Sequence, residues 1–340
     1  MHPFEYQRAD SPEAAVHALT GSHTVHGAKL IGGGTNLIDL MKDGVAQPSK
    51  LIDITQLELN TVEETKDGGV RVGALVRNSD MANHPLIRSR YPVLTQALLS
   101  GASPQLRNMA TAGGNLMQRT RCYYFMDTAF PACNKRNPGS GCDAVKGINR
   151  IHAVLGVNPH ADEKTVCIAT HPSDMCVALA ALGATVQVKG PKGVRSIPVR
   201  EFHRLPGKTP ELDTNLAADE LITAIDLPRS NAAAHSHYTK VRDRQSYAFA
   251  LVSVAAALEM DGQTIRSAQL ALGGVAHKPW TSIEAERSLA GATAGPETFR
   301  KAAELMMAGA TGYEHNTFKI ELAKQSIVRT LVLASKGGAA

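Results

Sequence analysis

At 340 residues, 43% hydrophobic and 20% charged, the chain has the balance of a globular protein of two or three domains rather than a single core. Its net charge of +5 is spread over 36 basic and 31 acidic residues with only 4% aromatics, which argues against the concentrated basic stripe of a nucleic-acid binder. The longest apolar stretch, Val177 to Val188, is too short to span a bilayer, and the start of the chain lacks the apolar core of a signal peptide, so neither membrane insertion nor self-directed export is expected.

In chain order, Ser11 caps a short helix with Pro12 in its first turn. A strand over Ala28 to Ile31 leads into Gly32-Gly33-Gly34-Thr35-Asn36, a helix starts at Leu37, and Leu51 to Ile54 is a buried strand. A strand over Val70 to Leu75 and helices around 78–84 and 92–100 follow. Residues 119–167 are a long Gly/Pro/Asn-rich passage without periodicity, a length that points either to disorder or to order imposed by something other than a core. Regular structure resumes with a helix from Ser173 to Leu182 and strands over 184–188 and 221–225. Residues 229–237 read as a linker. Beyond it lie strands over 247–258 and 265–272, then helices near 281–290, 296–308 and 317–333, the pattern of a separate α+β domain.

The triplet Gly32-Gly33-Gly34 lets successive backbone N–H groups converge on an anion at a helix start. It is neither a Walker A loop nor a Rossmann fingerprint, since Leu37 stands where the third glycine belongs. A plain tight turn is the alternative. A second loop, Thr111-Ala112-Gly113-Gly114-Asn115, adds hydroxyl and amide groups suited to phosphate or ribose. Two such loops suggest a dinucleotide clamped from both sides; two unrelated turns remain the competing reading.

Five cysteines, an odd number, do not suggest a disulfide framework. Cys122, Cys133, Cys142 and Cys167 form C-x10-C-x8-C-x24-C, without the close-spaced pairs of structural zinc. Wide spacing on a long loop suits an iron–sulfur cube, and a local excess of four positive charges between Arg119 and Arg150 would offset its negative charge. Free thiols in a loop are the alternative. Cys176, beside Val177 and Leu179, reads as core. Asp174 reads as a helix N-terminal charge, Lys240 by default as a solvated cation and Trp280 as packing, and none of the thirteen histidines shows a metal-pair spacing or a triad partner.

The stretches Lys29-Leu30-Ile31-Gly32-Gly33-Gly34-Thr35-Asn36-Leu37, Leu106 to Asn115 and Leu272-Gly273-Gly274-Val275-Ala276 together resemble the FAD-binding subunit of the xanthine dehydrogenase/aldehyde oxidoreductase family of molybdenum enzymes. The passage from Arg119 to Cys142, and Cys167 to Asp174, resemble the subgroup with an added [4Fe–4S] cluster. The usual first-loop motif is Ala-Gly-Gly-Thr, and Gly32 replaces its Ala. The resemblance implies FAD held by residues 29–37 with Thr111, Gly114 and Asn115, and by the single matches Asp174, Leu221 and Lys240; the four cysteines would hold the cluster.

It also implies an α+β fold. A two-lobed FAD-binding domain over 1–228 would have a small α/β lobe (1–56) and a larger α+β lobe (57–228) containing the 119–167 insertion. A domain over 232–336, with a three-stranded antiparallel sheet and helices, would follow. Its partners would be a large subunit with the molybdenum cofactor and a small subunit with two [2Fe–2S] clusters, and an external acceptor would take the electrons. No catalytic residue is assigned, and since nothing here binds molybdopterin the chain alone is not expected to oxidise aldehydes. The expected compartment is cytoplasmic, or periplasmic through co-export with a signal-bearing partner. Two other readings are a flavin subunit resembling that of hydroxybenzoyl-CoA reductase and a non-enzymatic iron–sulfur sensor.

Overall fold

The structure is a computed structural model that describes residues 1–20 and 27–337. Eleven strands fall into three sheets among the described residues: β1 (Glu5–Arg8), β2 (Ala28–Ile31), β3 (Lys50–Asp53), β4 (Val62–Glu64), β5 (Val70–Gly73), β6 (Thr185–Gly190), β7 (Gly193–Pro198), β8 (Leu221–Leu227), β9 (Ser236–Val241), β10 (Val252–Asp261) and β11 (Thr264–Gly273).

The first sheet is parallel, in the order β1-β3-β2. Parallel neighbours need crossovers, and the helices Pro12–Leu19 and Leu37–Lys42 lie in the connections. Ser11 caps the first of these, its Oγ accepting from the Ala14 N–H. Strand β1 was not expected from the sequence: Glu-Tyr-Gln-Arg is polar, and backbone pairing with β3 at the sheet edge, rather than an apolar face, makes it a strand.

The second sheet is antiparallel, in the order β4-β5-β8-β6-β7. Its core includes the helices Pro92–Ser100 and Asp174–Ala181. Every residue of Asp174–Ala181 is buried, as befits a helix that is apolar all round. It packs against the helix Pro92–Ser100 and also against β10 and β11. The approach to β11 depends on Gly273, where a Cβ would lie 2.4 Å from Ser253 Oγ and 2.5 Å from Val177 Cγ2.

The third sheet, β11-β10-β9, is antiparallel and is covered by the helices Ile283–Leu289, Pro296–Met306 and Phe318–Lys336 around a separate core. Here the sequence reading needs correction. Residues 236 and 237, assigned to the linker, begin β9, and β10 starts at Val252, later than expected. Strand β9 is half-buried and polar, and its pairing with β10 defines it.

Residues 119–167 contain one helical turn, Tyr123–Met126, and an isolated bridge between Cys133 and Cys142. The passage nonetheless has a small core, with Leu40, Phe125, Ala144 and Ile168 packed around the cysteines. Polar side chains bind its irregular backbone: Asn134 Nδ2 donates to the Glu163 and Val166 carbonyls, and Arg136 Nη1 to those of Tyr124 and Phe125. Its order therefore does not depend on a bound group alone.

Candidate functional site

The two glycine segments meet. A Cβ on Gly33 would fall 1.9 Å from the Met109 carbonyl oxygen, so only glycine lets the first loop lie against the strand of chain that enters the second. Gly34 adopts φ +72°, reversing the chain into the helix Leu37–Lys42. The second segment is a helix start rather than a loop: Thr111 caps Ala112–Leu116, and its Oγ1 accepts from Gly114 N–H at 3.2 Å. A Thr at such a position caps by accepting from the third residue on, a signal that was present in the sequence.

Around this junction the Arg119 N–H donates to Asn36 Oδ1 at 3.0 Å, while Asn36 Nδ2 is buried without a partner. An orphaned amide beside half-buried glycine backbone is a donor awaiting an acceptor. Partial desolvation, and then the Arg119 cation, lower the Lys29 pKa from its ordinary value, so two cationic side chains flank the loop. Backbone donors, a free amide and nearby cations suit a pyrophosphate. Leu30, Ile31, Thr35 and Leu37 are partly exposed along the same segment.

Asp174 and Lys240 come together. Lys240 Nζ lies 2.8 Å from Asp174 Oδ2 and also donates to the Ser100 carbonyl, and the two side chains are only 4% and 8% exposed. Lys240 is therefore a buried ion-pair partner, not the solvated cation that its sequence surroundings suggest. Tyr238 completes the group, its hydroxyl donating to Asp174 Oδ1 at 2.6 Å. Burial and the Asp174 carboxylate push the Tyr238 phenol well above its ordinary pKa. Asn115 is tied to the same helix start, accepting from Ser173 Oγ at 2.7 Å.

A cleft lies beside this group, with His171 to Asp174 on one wall, Ser253, Gly273 and Gly274 on another, and Arg121 and Phe249 also lining it. Leu221 lies elsewhere. It is 1% exposed and packs in one hydrophobic cluster with Ile52 and Leu75, whose Cδ2 lies 3.6 Å from where a Gly32 Cβ would stand.

The four cysteines converge. All are free thiols; Cys122, Cys133 and Cys167 are buried and Cys142 is partly so. Burial pushes the Cys142 thiol up to about 12, with Cys167 and Cys133 close enough to add to it, and burial raises Cys122 and Cys167 as well. Lys135 acts in the opposite sense on Cys167. Its Nζ bonds to Asp213 at 2.6 Å, and Arg119 holds the other carboxylate oxygen. Four gathered thiols and a buried cation fit the donor set and charge of a thiolate-ligated cluster. Cys176 stands apart on its helix, fully buried.

The family described as the FAD binding domain in molybdopterin dehydrogenase matches residues 2–230, and the CO dehydrogenase flavoprotein C-terminal domain matches residues 236–332. The chain belongs to this family of molybdenum-hydroxylase flavoprotein subunits. It is 50% identical to the aldehyde oxidoreductase FAD-binding subunit PaoB of Escherichia coli, over 98% of this chain and 99% of that one. It is 30% identical to the glyceraldehyde dehydrogenase medium chain of Sulfolobus acidocaldarius, over 86% and 83%. The fold matches a carbon monoxide dehydrogenase structure from Hydrogenophaga pseudoflava with a TM-score of 0.75 at 26% identity, covering 98% of both chains. The α+β architecture and the C-terminal three-stranded sheet are those expected for this family. No helix among the described residues is long and apolar enough to cross a membrane.

Proposed function

We propose that this chain is the FAD- and [4Fe–4S]-carrying electron-transfer subunit of a heterotrimeric molybdenum aldehyde oxidoreductase, passing electrons from [2Fe–2S] clusters on a small subunit to an external acceptor. The large subunit, with the molybdenum cofactor, would oxidise the aldehyde. The observation that carries the reading is the closure of Gly33 onto the Met109 carbonyl, which joins the two glycine segments into one cradle with cationic sides. Likeness to an aldehyde oxidoreductase FAD-binding subunit supports the reaction class.

In this reading residues 29–37 hold the pyrophosphate through backbone N–H groups, and Thr111, Gly114 and Asn115 close the second side. Asp174 and Lys240 stand at the cleft where the flavin ring would lie, and Leu221 shares a cluster with Leu75 beside the first loop. Cys122, Cys133, Cys142 and Cys167 would ligate the cluster. FAD supplies the chemistry of accepting electrons and handing them on. The chain's own groups bind, orient and shield it. The domain division proposed is 1–228 for FAD and 232–336 for the α+β partner domain. Anaerobic purification with flavin, iron and sulfide counts tests the proposal: one flavin and about four irons per chain are expected.

A further inference from the structure

His171, His203 and Cys176 each offer one ligand-type atom, and these atoms lie within 4.8 Å of one another. The three residues are 9%, 2% and 0% exposed. None belongs to the four-cysteine group, and the spacing of the two histidines along the chain gives no hint of their meeting. Their rings are 4.0 Å apart between centroids.

Two of the ring nitrogens here, His171 Nε2 and His203 Nδ1, are buried with no hydrogen-bond partner. Buried polar atoms are normally satisfied, so orphaned ring nitrogens on two neighbouring buried histidines call for an occupant. The tautomer of His203 is decided by its other nitrogen: Nε2 lies 2.9 Å from the Leu116 carbonyl, which only accepts, so Nε2 carries the proton and Nδ1 a free lone pair. A histidine held by a carbonyl on one nitrogen and free on the other is arranged as metal ligands are.

We propose that His171, His203 and Cys176 form a three-coordinate site for monovalent copper. Two arguments choose the ion. Thiolate and imidazole are soft donors that favour copper(I) or zinc over magnesium or calcium. Charge then separates these two. Copper(I) with one thiolate and two neutral imidazoles sums to zero, whereas zinc would leave one positive charge in a buried place, where Asp213 and Lys135 act on His171 in opposite senses. Among the described residues no fourth His, Cys, Asp or Glu joins the group, which again suits a three-coordinate ion. On binding, the Cys176 thiol releases its proton to solvent and no electron is transferred.

The test uses the purified full chain with its iron and flavin in place, kept anaerobic and titrated with copper(I) held by a chromophoric chelator. One equivalent should leave the chelator without loss of iron, and X-ray absorption should show one sulfur and two nitrogen neighbours. Cys176→Ala, which keeps a small apolar side chain on the helix, and His203→Gln should each weaken uptake at least tenfold while retaining iron. The proposal is overturned if no copper leaves the chelator, if copper enters only as iron departs, if the Cys176→Ala protein shows the same sulfur neighbour, or if zinc outcompetes copper at the site.

Discussion

Lys240 Nζ lies 2.8 Å from Asp174 Oδ2, joining strand β9 to the first residue of the buried helix Asp174–Ala181 across 66 positions of sequence. The pair locks the third sheet onto the helix that forms the cleft wall. Removing one partner leaves a buried charge uncompensated, which costs about 3–5 kcal/mol. Lys240→Met should therefore lower stability by about that amount, and Tyr238→Phe by only about 1–2 kcal/mol, since it removes one hydrogen bond. Denaturant midpoints at constant slope would check both. Equal losses from the two substitutions would contradict the ion pair's role.

Gly33 gives a sharper expectation. A side chain there meets main chain, which cannot swing aside. Gly33→Val should separate the two glycine segments and cut flavin affinity at least tenfold, about 1.4 kcal/mol. Gly295→Ala is the control, because nothing lies within 4 Å of a Cβ there. Flavin content after gel filtration is the readout, and full occupancy in Gly33→Val would refute the cradle.

Serine in place of Cys122, Cys133, Cys142 or Cys167 should each lose cluster iron, whereas Cys176→Ser should keep it. The passage has its own small core, so the serine variants should stay folded but become more susceptible to protease between residues 119 and 167. Undiminished iron in Cys133→Ser, or zinc in its place, would refute the ligand assignment.

Lys319 makes stability depend on pH. It is fully buried, its Nζ donating to the His152 carbonyl at 2.8 Å and to that of Gly274. Burial, with a smaller push from Arg150, lowers its pKa to about 7. An unfolded lysine titrates near roughly 10.4. Between these values the unfolded chain holds a proton that the folded chain has released, so this group makes stability rise with pH across the window. The cost of burying the cation is present in full below about 7. Lys319→Met should flatten the rise, as seen in melting temperatures from pH 6 to pH 10. An unchanged slope would show that Lys319 does not supply it.

The first glycine segment was legible because consecutive glycines carry their meaning locally, whereas the second was read as a loop although Thr111 caps a helix there. The helix starts at Ser11 and Ser173 were legible for the same reason. Strands β1 and β9 were not, because polar sequences become strands there only through a neighbour's backbone. Lys240 looked solvated because its partner is remote in sequence, and nothing local announces a buried ion pair. The same holds for His171 and His203, which meet only when the chain between them folds back. The cysteine spacing pointed to a shared site, yet it gave no sign of the aromatic and amide groups that also order the passage.

The central claim, that this chain's flavin carries electrons delivered by partner subunits, is tested most directly by following the flavin absorbance anaerobically after aldehyde is added. In the assembled heterotrimer the flavin should bleach, whereas in the Gly33→Val heterotrimer aldehyde should reduce only the molybdenum and iron–sulfur centres, and no electrons should reach the external acceptor. The isolated chain, mixed with the same aldehyde, should stay oxidised. Bleaching of the isolated chain at the rate of the complex would contradict the account, as would undiminished electron delivery to the acceptor by a complex shown to lack flavin.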